Sequence, residues 1–387
     1  MTARIYGRCP SARHPMASGD GLVVRLRPRN NRLSRDQAHA IAAAARRFGN
    51  GMIDLPARAN LQLRGVRTEN HAALIDALVP LGLIEPEGSE DTQVPRNILV
   101  TPFADAATYA LADALRRALV TVPDLSHKFG FMLDSGPAPV MRDISADIRL
   151  ERGADGGLIL RATGLELGAA VTEAQAPEAM CDLARWFVEV GGLCDGRGRM
   201  AQVIARGARP DAALRPTHTP APAPMIANAP VVPGLVPQGA LVGLEFGLLH
   251  ADTLDRLAAL GPLRLTPWRM LLIEGLRAMP LCPDLGGLIT DPGDPRLRVF
   301  ACTGAPGCLQ GQGDVRALAR RLVPNLASDK VLHLSGCTKG CAGPGHADLT
   351  LVATPAGVDL VRGARAGDTP VRHGLTTPDI LQLPEFS

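Results

Sequence analysis

The sequence reads ACTGAPGC at residues 301–308 and LSGCTKGC at residues 334–341. Four of the chain's eight cysteines fall in these two segments: Cys302, Cys308, Cys337 and Cys341. Glycine and proline inside both loops let the backbone wrap tightly and direct amide groups at sulfur. Four converging thiolates suit either an iron–sulfur cluster or zinc.

The spacing of the two cysteine pairs separates these possibilities. Zinc sites usually pair cysteines about two to four residues apart, and a C-x₅-C arm is unusual for them. We therefore predict one [4Fe–4S] cluster and a redox enzyme, with a non-enzymatic Cys₄ zinc protein as the alternative. The scattered cysteines are predicted to be small buried apolar side chains: Cys9, Cys181, Cys194 and Cys282.

Outward from the cysteines, the chain shows a diverged internal repeat. DLPARANLQLRGV at 54–66 registers on RLTPWRMLLIEGL at 264–276, with Gly65 on Gly275. Periodicity predicts strand, helix, strand and strand in both copies, at 21–26, 34–48, 52–55 and 61–66, then at 240–246, 251–260, 263–265 and 270–276. The sequence thus predicts a duplicated α+β unit whose second copy alone carries the four clustered cysteines.

Composition excludes several classes of protein. The 387 residues are 46% hydrophobic, enough for two or three domains with buried cores. The formal net charge is only +3 and no basic tract occurs, so nucleic acid is not an expected partner. No apolar run approaches the roughly 20 residues that span a bilayer. We expect no membrane partner and a cytoplasmic protein, a compartment in which clustered cysteines indicate metal rather than disulfides.

The cysteine pattern C-x₅-C followed by G-C-x₃-C resembles the signature of the sirohaem-dependent sulfite and nitrite reductases. That resemblance implies a nitrite/sulfite reductase-like α+β fold, in which ferredoxin-like half-domains are each followed by an α/β cluster-type domain. The expected bounds are 1–70 and 240–285 for the half-domains, 90–208 and 295–387 for the α/β domains, and 209–239 for a Pro-rich linker.

The same resemblance implies a set of basic residues in catalysis. LPARANLQLRGV is similar to the family's anion-side strand, with Arg58 in the place of its substrate-binding arginine. VPRNILVTP supplies Arg96 as the match to a second arginine, and DLSHKFGF keeps Lys128 but has Gly130 where the family has another lysine.

Neighbouring polar residues are candidate substrate-binding groups. Asn60, Gln62 and Arg64 follow Arg58 at period-two spacing, which predicts that all four share one strand face. Arg25 and Arg27 alternate with apolar residues along RLRPR. Guanidinium groups bind carboxylates in bidentate fashion. Spacing alone also fits an exposed polar face.

A narrower resemblance comes from RCPSARHPMASGDGLVVRLRP at 8–28, which is similar to the amino terminus of precorrin-3B synthases. The cluster segments resemble that family as well, with Thr303 in place of its usual proline. The resemblance implies oxygen-dependent hydroxylation and lactonisation of precorrin-3A in aerobic cobalamin biosynthesis, with precorrin-3A and O₂ as substrates. The alternative is a sirohaem-dependent sulfite or nitrite reductase, for which sirohaem would be a cofactor.

Monooxygenation requires two electrons from outside the substrate. The cluster can relay them singly, and the resemblance implies NADH as ultimate donor and a mononuclear non-haem iron. No glycine-rich nucleotide fingerprint follows a predicted strand, so we expect a separate electron-donor reductase. No ligand set for a second iron is readable from spacing, and the candidate histidines are interpreted as hydrogen-bonding residues: His14, His127 and His346.

Overall fold

The computed structural model describes most of the chain, in seven stretches: residues 11–84, 97–123, 125–136, 139–210, 231–280, 285–343 and 347–386. Within these stretches, no helix combines the length and the apolar character needed to cross a membrane.

The first half-domain, residues 11–84, lays α1 (Arg35–Phe48) and α2 (His71–Leu78) against a sheet. Its strands are β1 (Met16–Ser18), β2 (Gly21–Leu26), β3 (Arg32–Leu33), β4 (Met52–Asp54) and β5 (Leu61–Val66). Helix α1 begins after Ser34, whose side chain forms a reciprocal capping box with Gln37. The predicted strands at 21–26 and 61–66 are confirmed.

The second half-domain, residues 231–289, repeats this arrangement around α6 (Ala251–Leu260). Its strands are β11 (Gly234–Val236), β12 (Gly239–Leu244), β13 (Leu248–His250), β14 (Leu263–Leu265), β15 (Met270–Glu274) and β16 (Leu288–Ile289). Strand β11 lies inside the predicted linker. Helix α6 and strand β14 have the bounds that periodicity predicted.

The two half-domains exchange strands. Strand β3 pairs with β14 of the second half-domain, and β13 pairs with β4 of the first. The resulting sheets have the orders β1-β2-β5-β4-β13 and β11-β12-β15-β14-β3. Since each sheet contains a strand from the other copy, and α1 and α6 share one apolar core, the two half-domains form a single layered unit.

Backbone conformation confirms the register of the repeat. Ala59 and Arg269 both have positive φ, 45° and 60°, and so do Gly65 and Gly275, 66° and 78°. Non-glycine residues rarely adopt this conformation, so its recurrence at the registered positions reflects the same turn in both copies. The register that placed Gly65 on Gly275 is correct.

The two α/β domains also match strand for strand. The first contains β6 (Asn97–Val100), β7 (Gly130–Asp134), β8 (Ile148–Arg152), β9 (Leu158–Ala162), β10 (Ala169–Val171), α3 (Ala106–Ala118), α4 (Ala176–Glu189) and α5 (Met200–Ala205). The second contains β17 (Val299–Ala301), β18 (Leu332–Ser335), β19 (Leu349–Thr354), β20 (Gly357–Arg362), β21 (Arg372–Leu375), α7 (Val315–Leu322) and α8 (Thr377–Leu381).

In both α/β sheets the first three strands run parallel and the later strands pair antiparallel. The carboxyl ends of parallel strands meet at one edge, so the loops after β17 and β18 lie side by side. Those are the loops that carry the cysteines. The domain bounds expected from the sequence stay a prediction.

Asp134, at the end of β7, is a buried acid in the first α/β domain. Its Oδ2 accepts backbone N–H groups from Val140 and Met141 at 2.7 and 2.8 Å. Burial raises the pKa of Asp134 from 3.8 to about 6, with nearby Glu151 adding to the rise and Arg149 opposing it. The folded state therefore favours the protonated acid.

Replacing this acid should change how stability depends on pH. Below the unfolded pKa both states are protonated, and stability falls as pH rises toward the folded pKa of about 6. Asp134→Asn should remove that loss, by at most about 3 kcal/mol at pH 8. Thermal unfolding at pH 5 and pH 8 measures it. The exposed Asp143→Asn variant serves as the control, and equal pH profiles for Asp134→Asn and wild type would contradict the prediction.

Candidate functional site

The cysteines lie in two adjacent loops at the carboxyl edge of the second α/β sheet. The first cysteine loop, Cys302–Cys308, follows β17, and the second cysteine loop, Cys337–Cys341, follows β18. Sγ of Cys302 accepts the backbone N–H of Gly336 at 3.1 Å, which joins one loop to the other. The Oγ of Ser335 donates to the carbonyl of Cys337 at 2.7 Å.

The four thiols influence one another electrostatically. Burial raises the pKa of Cys302, the amides of Gly336 and Gly304 oppose that rise, and the thiols of Cys308 and Cys337 add to it. Burial raises the pKa of Cys341 to about 11; Lys339 lowers it and the other three cysteines raise it. Cys302, Cys308 and Cys337 are half-buried and Cys341 is exposed, so the four thiols lie close enough to influence one another at a partly solvated edge of the domain.

These donors fit a four-iron cluster. Within the described stretches, no three His, Cys, Asp or Glu side chains are grouped tightly enough to hold a single metal ion. A [4Fe–4S] cluster does not need that grouping, because each thiolate binds a different iron atom. The amide hydrogen bond to Cys302 is of the kind that tunes cluster potentials.

The first cysteine loop rests on the first half-domain. Arg64 Nη2 donates to the carbonyl of Gly307 at 2.5 Å, and Ser18 Oγ donates to it at 2.6 Å. A Cβ at Gly19 would lie 2.0 Å from the carbonyl oxygen of Pro306, so only glycine permits this approach. The turn between β1 and β2 therefore forms the surface on which the first cysteine loop packs.

Arg64 sits in a buried ion-pair network. Its guanidinium binds Asp20 through two hydrogen bonds of 2.9 Å and Asp54 through one of 3.1 Å. Asp54 also accepts from Arg316 of α7 at 2.7 Å. Arg64 is only 6% exposed, and its pKa is raised because the two carboxylates outweigh burial.

From Arg64 a polar face runs along the first half-domain's sheet. Gln62 is two residues before Arg64 and pairs directly with Arg25 on one side and Asp54 on the other. We call these four residues the polar face: Arg25, Asp54, Gln62 and Arg64. They lie on the side of the sheet opposite the core-facing leucines of β5. Strand β5 is six residues long, so five rises of roughly 3.3 Å separate its two ends by about 17 Å.

A cleft open to solvent lies at the far end of this face. Four basic side chains line it, together with three asparagines and the backbone around Gly130: Arg27, Arg58, Arg116, Lys128, Asn31, Asn60 and Asn97. The cleft lies between the first half-domain and the first α/β domain. Its charge suits a ligand with several carboxylates.

The buried Asn31 and the half-buried Asn97 fix the shape of the cleft through hydrogen bonds to the backbone. Asn31 donates to the carbonyl of Ala59 at 2.9 Å and accepts the N–H of Val100 at 2.9 Å. These two bonds join the turn that contains Arg58 and Ala59 to β6. Asn97 donates to the carbonyls of His127 and Phe129 at 2.8 and 3.1 Å, and these two bonds hold the backbone on either side of Lys128. The sequence pattern singles out neither asparagine.

Two positions that are polar in the first half-domain have apolar counterparts in the second half-domain. Leu272, which registers on Gln62, lies in a cluster with Leu241 and Met270. Trp268, which registers on Arg58, stacks on Phe103 with ring centroids 6.1 Å apart. At these two positions the second copy is apolar where the first copy is polar.

The structure separates the predicted site residues into groups. Arg27, Arg58, Asn60 and Lys128 line the cleft, whereas Arg25, Gln62 and Arg64 are not among its lining residues. Strand β5 begins at Leu61, so the prediction that Arg58 and Asn60 share a strand face with Gln62 and Arg64 is wrong. The positive φ of Ala59 makes a turn there instead.

Arg96 lies outside the described residues. Arg116, Ser18, Asp20, Asp54 and Arg316 were missed from the sequence, because long-range contacts place them at the site. The Ser-Gly-Asp-Gly element at 18–21 was the one available signal.

The other predicted cysteines and histidines differ in their outcomes. Cys181 is buried in α4, as predicted, but Cys194 is exposed in a turn, so its predicted burial is wrong. His14 and His127 are exposed. Cys9, Cys282 and His346 lie outside the described residues.

Comparisons with known proteins agree with this architecture. The family model for the nitrite/sulfite reductase ferredoxin-like half domain matches residues 14–81. A precorrin-3B synthase from Sinorhizobium sp is 32% identical over 397 residues, covering 94% of this chain and 84% of the relative. A ferredoxin–nitrite reductase from Leptolyngbya laminosa is 25% identical over 459 residues, covering 95% and 86%.

Among solved structures, the Mycobacterium tuberculosis NirA protein superposes with a TM-score of 0.66 at 20% identity, covering 91% of this chain and 77% of NirA. Together with the matched half domain, this confirms the predicted duplicated nitrite/sulfite reductase-like fold.

The cysteine assignment predicts the metal content of variants. Cys337→Ser should lose most of the iron and labile sulfide bound after anaerobic purification, because one corner of the cluster loses its thiolate. Cys194→Ser, at an exposed position away from the two loops, should retain both. Iron and sulfide analysis per chain measures this. Four irons per chain in Cys337→Ser would refute the assignment.

Proposed function

The chain belongs to the precorrin-3B synthase family of the nitrite/sulfite reductase superfamily, and from this membership we propose that it converts precorrin-3A to precorrin-3B with O₂. In this proposal the tetrapyrrole is the substrate, and Cys302, Cys308, Cys337 and Cys341 hold a [4Fe–4S] cluster. The polar face and the cleft beside it carry the proposal.

The substrate's chemistry fits the cleft. A precorrin bears acetate and propionate groups around its rim, and each can accept charge-assisted hydrogen bonds. Arg27, Arg58, Arg116 and Lys128 surround the cleft with positive charge. Arg25 and Gln62, midway along the polar face, would lie under a macrocycle that extends from the cleft toward the cysteine loops.

The roles of individual residues follow from these positions. Arg58 and Lys128, and Arg96 by the family resemblance, would bind and orient the rim carboxylates. Asn60 lies beside Arg58 in the same lining and would donate to the substrate. Gly130 lines the cleft next to Lys128 without adding charge. This leaves room for a bulky organic ring rather than completing a cage around a small anion.

The reaction balances as a monooxygenation. One oxygen atom of O₂ enters the product at a meso carbon, and the second leaves as water with two protons and two electrons. A ring acetate then closes the lactone. The cluster supplies single-electron relay when bound, and the electrons come ultimately from NADH through a separate reductase. A mononuclear non-haem iron is part of the proposal, without assigned ligands.

The oxygen requirement gives a direct test. Anaerobically purified protein should convert precorrin-3A only when both O₂ and a reductant are added, and ¹⁸O₂ should label the product with one oxygen atom. Conversion at an undiminished rate without O₂ would contradict the monooxygenase proposal.

Purification distinguishes the rival functions. A sirohaem-dependent sulfite or nitrite reductase would show intense macrocycle absorption bands, and a zinc protein would contain about one zinc per chain with no labile sulfide. The present proposal predicts only the broad absorption of an iron–sulfur cluster.

Substrate affinity should depend on the cleft. Arg58→Ala should weaken anaerobic binding of precorrin-3A about tenfold or more, because a hydrogen bond to a charged group contributes roughly 1.5–3 kcal/mol. The exposed Arg67→Ala variant removes a nearby charge outside the cleft lining and should bind as wild type does. Equilibrium titration followed by visible absorption measures both. Equal affinity for Arg58→Ala and wild type would exclude Arg58 from substrate binding.

A further inference from the structure

We propose that Arg64 is a positioning residue for the cluster ligand Cys308, rather than a substrate-binding residue. This inference rests on the proposed [4Fe–4S] cluster. It assigns to the first half-domain the task of fixing a loop that belongs to the second α/β domain.

The contact lies one peptide away from the ligand. The Gly307 carbonyl that accepts from Arg64 Nη2 and Ser18 Oγ belongs to the same planar peptide as the N–H of Cys308. Two donors at 2.5 and 2.6 Å therefore set the orientation of that peptide, and with it the direction in which the Cys308 side chain leaves the backbone.

Arg64 is itself held rigidly. Nε donates to Asp20 at 2.9 Å, Nη1 donates to Asp54 at 3.1 Å, and Nη2 is shared among Asp20, Ser18 and Gly307. Its charge is balanced by two carboxylates, so its effect on the loop comes through geometry. Arg64 is also not among the residues that line the cleft.

The second half-domain makes the equivalent contact with a loop that carries no cysteine. Arg264 Nη1 donates to the carbonyls of Pro102 and Ala104 at 2.9 and 2.8 Å, in the loop after β6 that corresponds to the first cysteine loop. Arg264 also pairs with Glu274 at 2.6 Å. In the repeat register, Arg264 takes the place of Asp54 and Glu274 takes the place of Arg64. Each half-domain thus docks on an α/β loop through an arginine. In the second copy the arginine and its acidic partner have exchanged positions.

The contact made by Arg264 supplies a matched control. Arg64→Lys and Arg264→Lys each shorten an ion-paired arginine that ties a half-domain to an α/β loop, and these two side chains are 7% and 12% exposed. Both should lower the thermal midpoint. Only Arg64→Lys changes the support of a cysteine, so only that variant should alter the cluster.

The experiment uses full-length protein purified anaerobically, with the iron chelator bathophenanthroline disulfonate as the probe. For Arg64→Lys, cluster absorbance should decay about tenfold faster than in wild type, as is typical when a partner that orients a metal ligand is lost. Its reduced-state EPR spectrum and reduction potential should also differ from wild type. Arg264→Lys should match wild type in all three measurements.

Ser18→Ala removes the other donor to Gly307 without disturbing a buried charge, and it should shift the decay rate in the same direction by a smaller factor. It keeps the inference testable if Arg64→Lys does not fold. Equal cluster decay, EPR and potential in Arg64→Lys and Arg264→Lys overturn the inference, as does wild-type behaviour of Ser18→Ala when Arg64→Lys does not fold. Wild-type protein without iron and labile sulfide overturns the proposed cluster as well.

Discussion

The buried ion pair between Arg64 and Asp54 connects three parts of the chain that are distant in sequence. Arg64 reaches the first cysteine loop, Asp54 reaches Arg316 of α7, and both residues belong to the first half-domain's sheet. Removing one partner of a buried pair typically costs about 3–5 kcal/mol, because the other charge stays buried without compensation. The position of the cysteine loops relative to the polar face depends on this network.

Duplication explains the scaffold, and the differences between the copies explain the site. Strand exchange and the shared α1–α6 core make the half-domains one unit, and each half-domain docks on the α/β domain of the other copy. Where the first copy has Arg58 and Gln62, the second has Trp268 and Leu272 in a closed apolar cluster. Where the second copy has a cysteine loop after β18, the first has Asp134 at the end of β7 and Ser135 directly after it. Each copy thus contributes one half of the proposed chemistry: a polar substrate surface from the first and thiolates from the second.

Local sequence signals predicted much of the fold. Period-two and helical patterns located β2, β5, β14, α1 and α6, because each element buries one apolar face and its ends are marked by caps or glycine. The repeat register followed from Gly65 and Gly275, which need the same positive φ. The strand exchange was not predictable, since β3 and β13 are two or three residues long and their pairing is set by tertiary packing.

The site was predicted less completely for the same reason. Lys128 and Arg58 were found through a family resemblance, but Asn31 and Asn97 act through long-range backbone contacts that no local pattern indicates. Arg64 was interpreted from its strand position as a substrate ligand. Its partners Asp20 and Asp54 lie 44 and 10 residues away, so its ion-pair role could not be read from spacing.

An anaerobic crystal structure of the protein with bound precorrin-3A is the most direct measurement of whether the polar face of one copy and the thiolates of the other form a single site. The expected result is a four-iron cluster on the four cysteines, with the macrocycle over Arg25 and Gln62 and its carboxylates within hydrogen-bond distance of Arg58 and Lys128. A macrocycle bound elsewhere, or a single zinc ion between the cysteines, would contradict it.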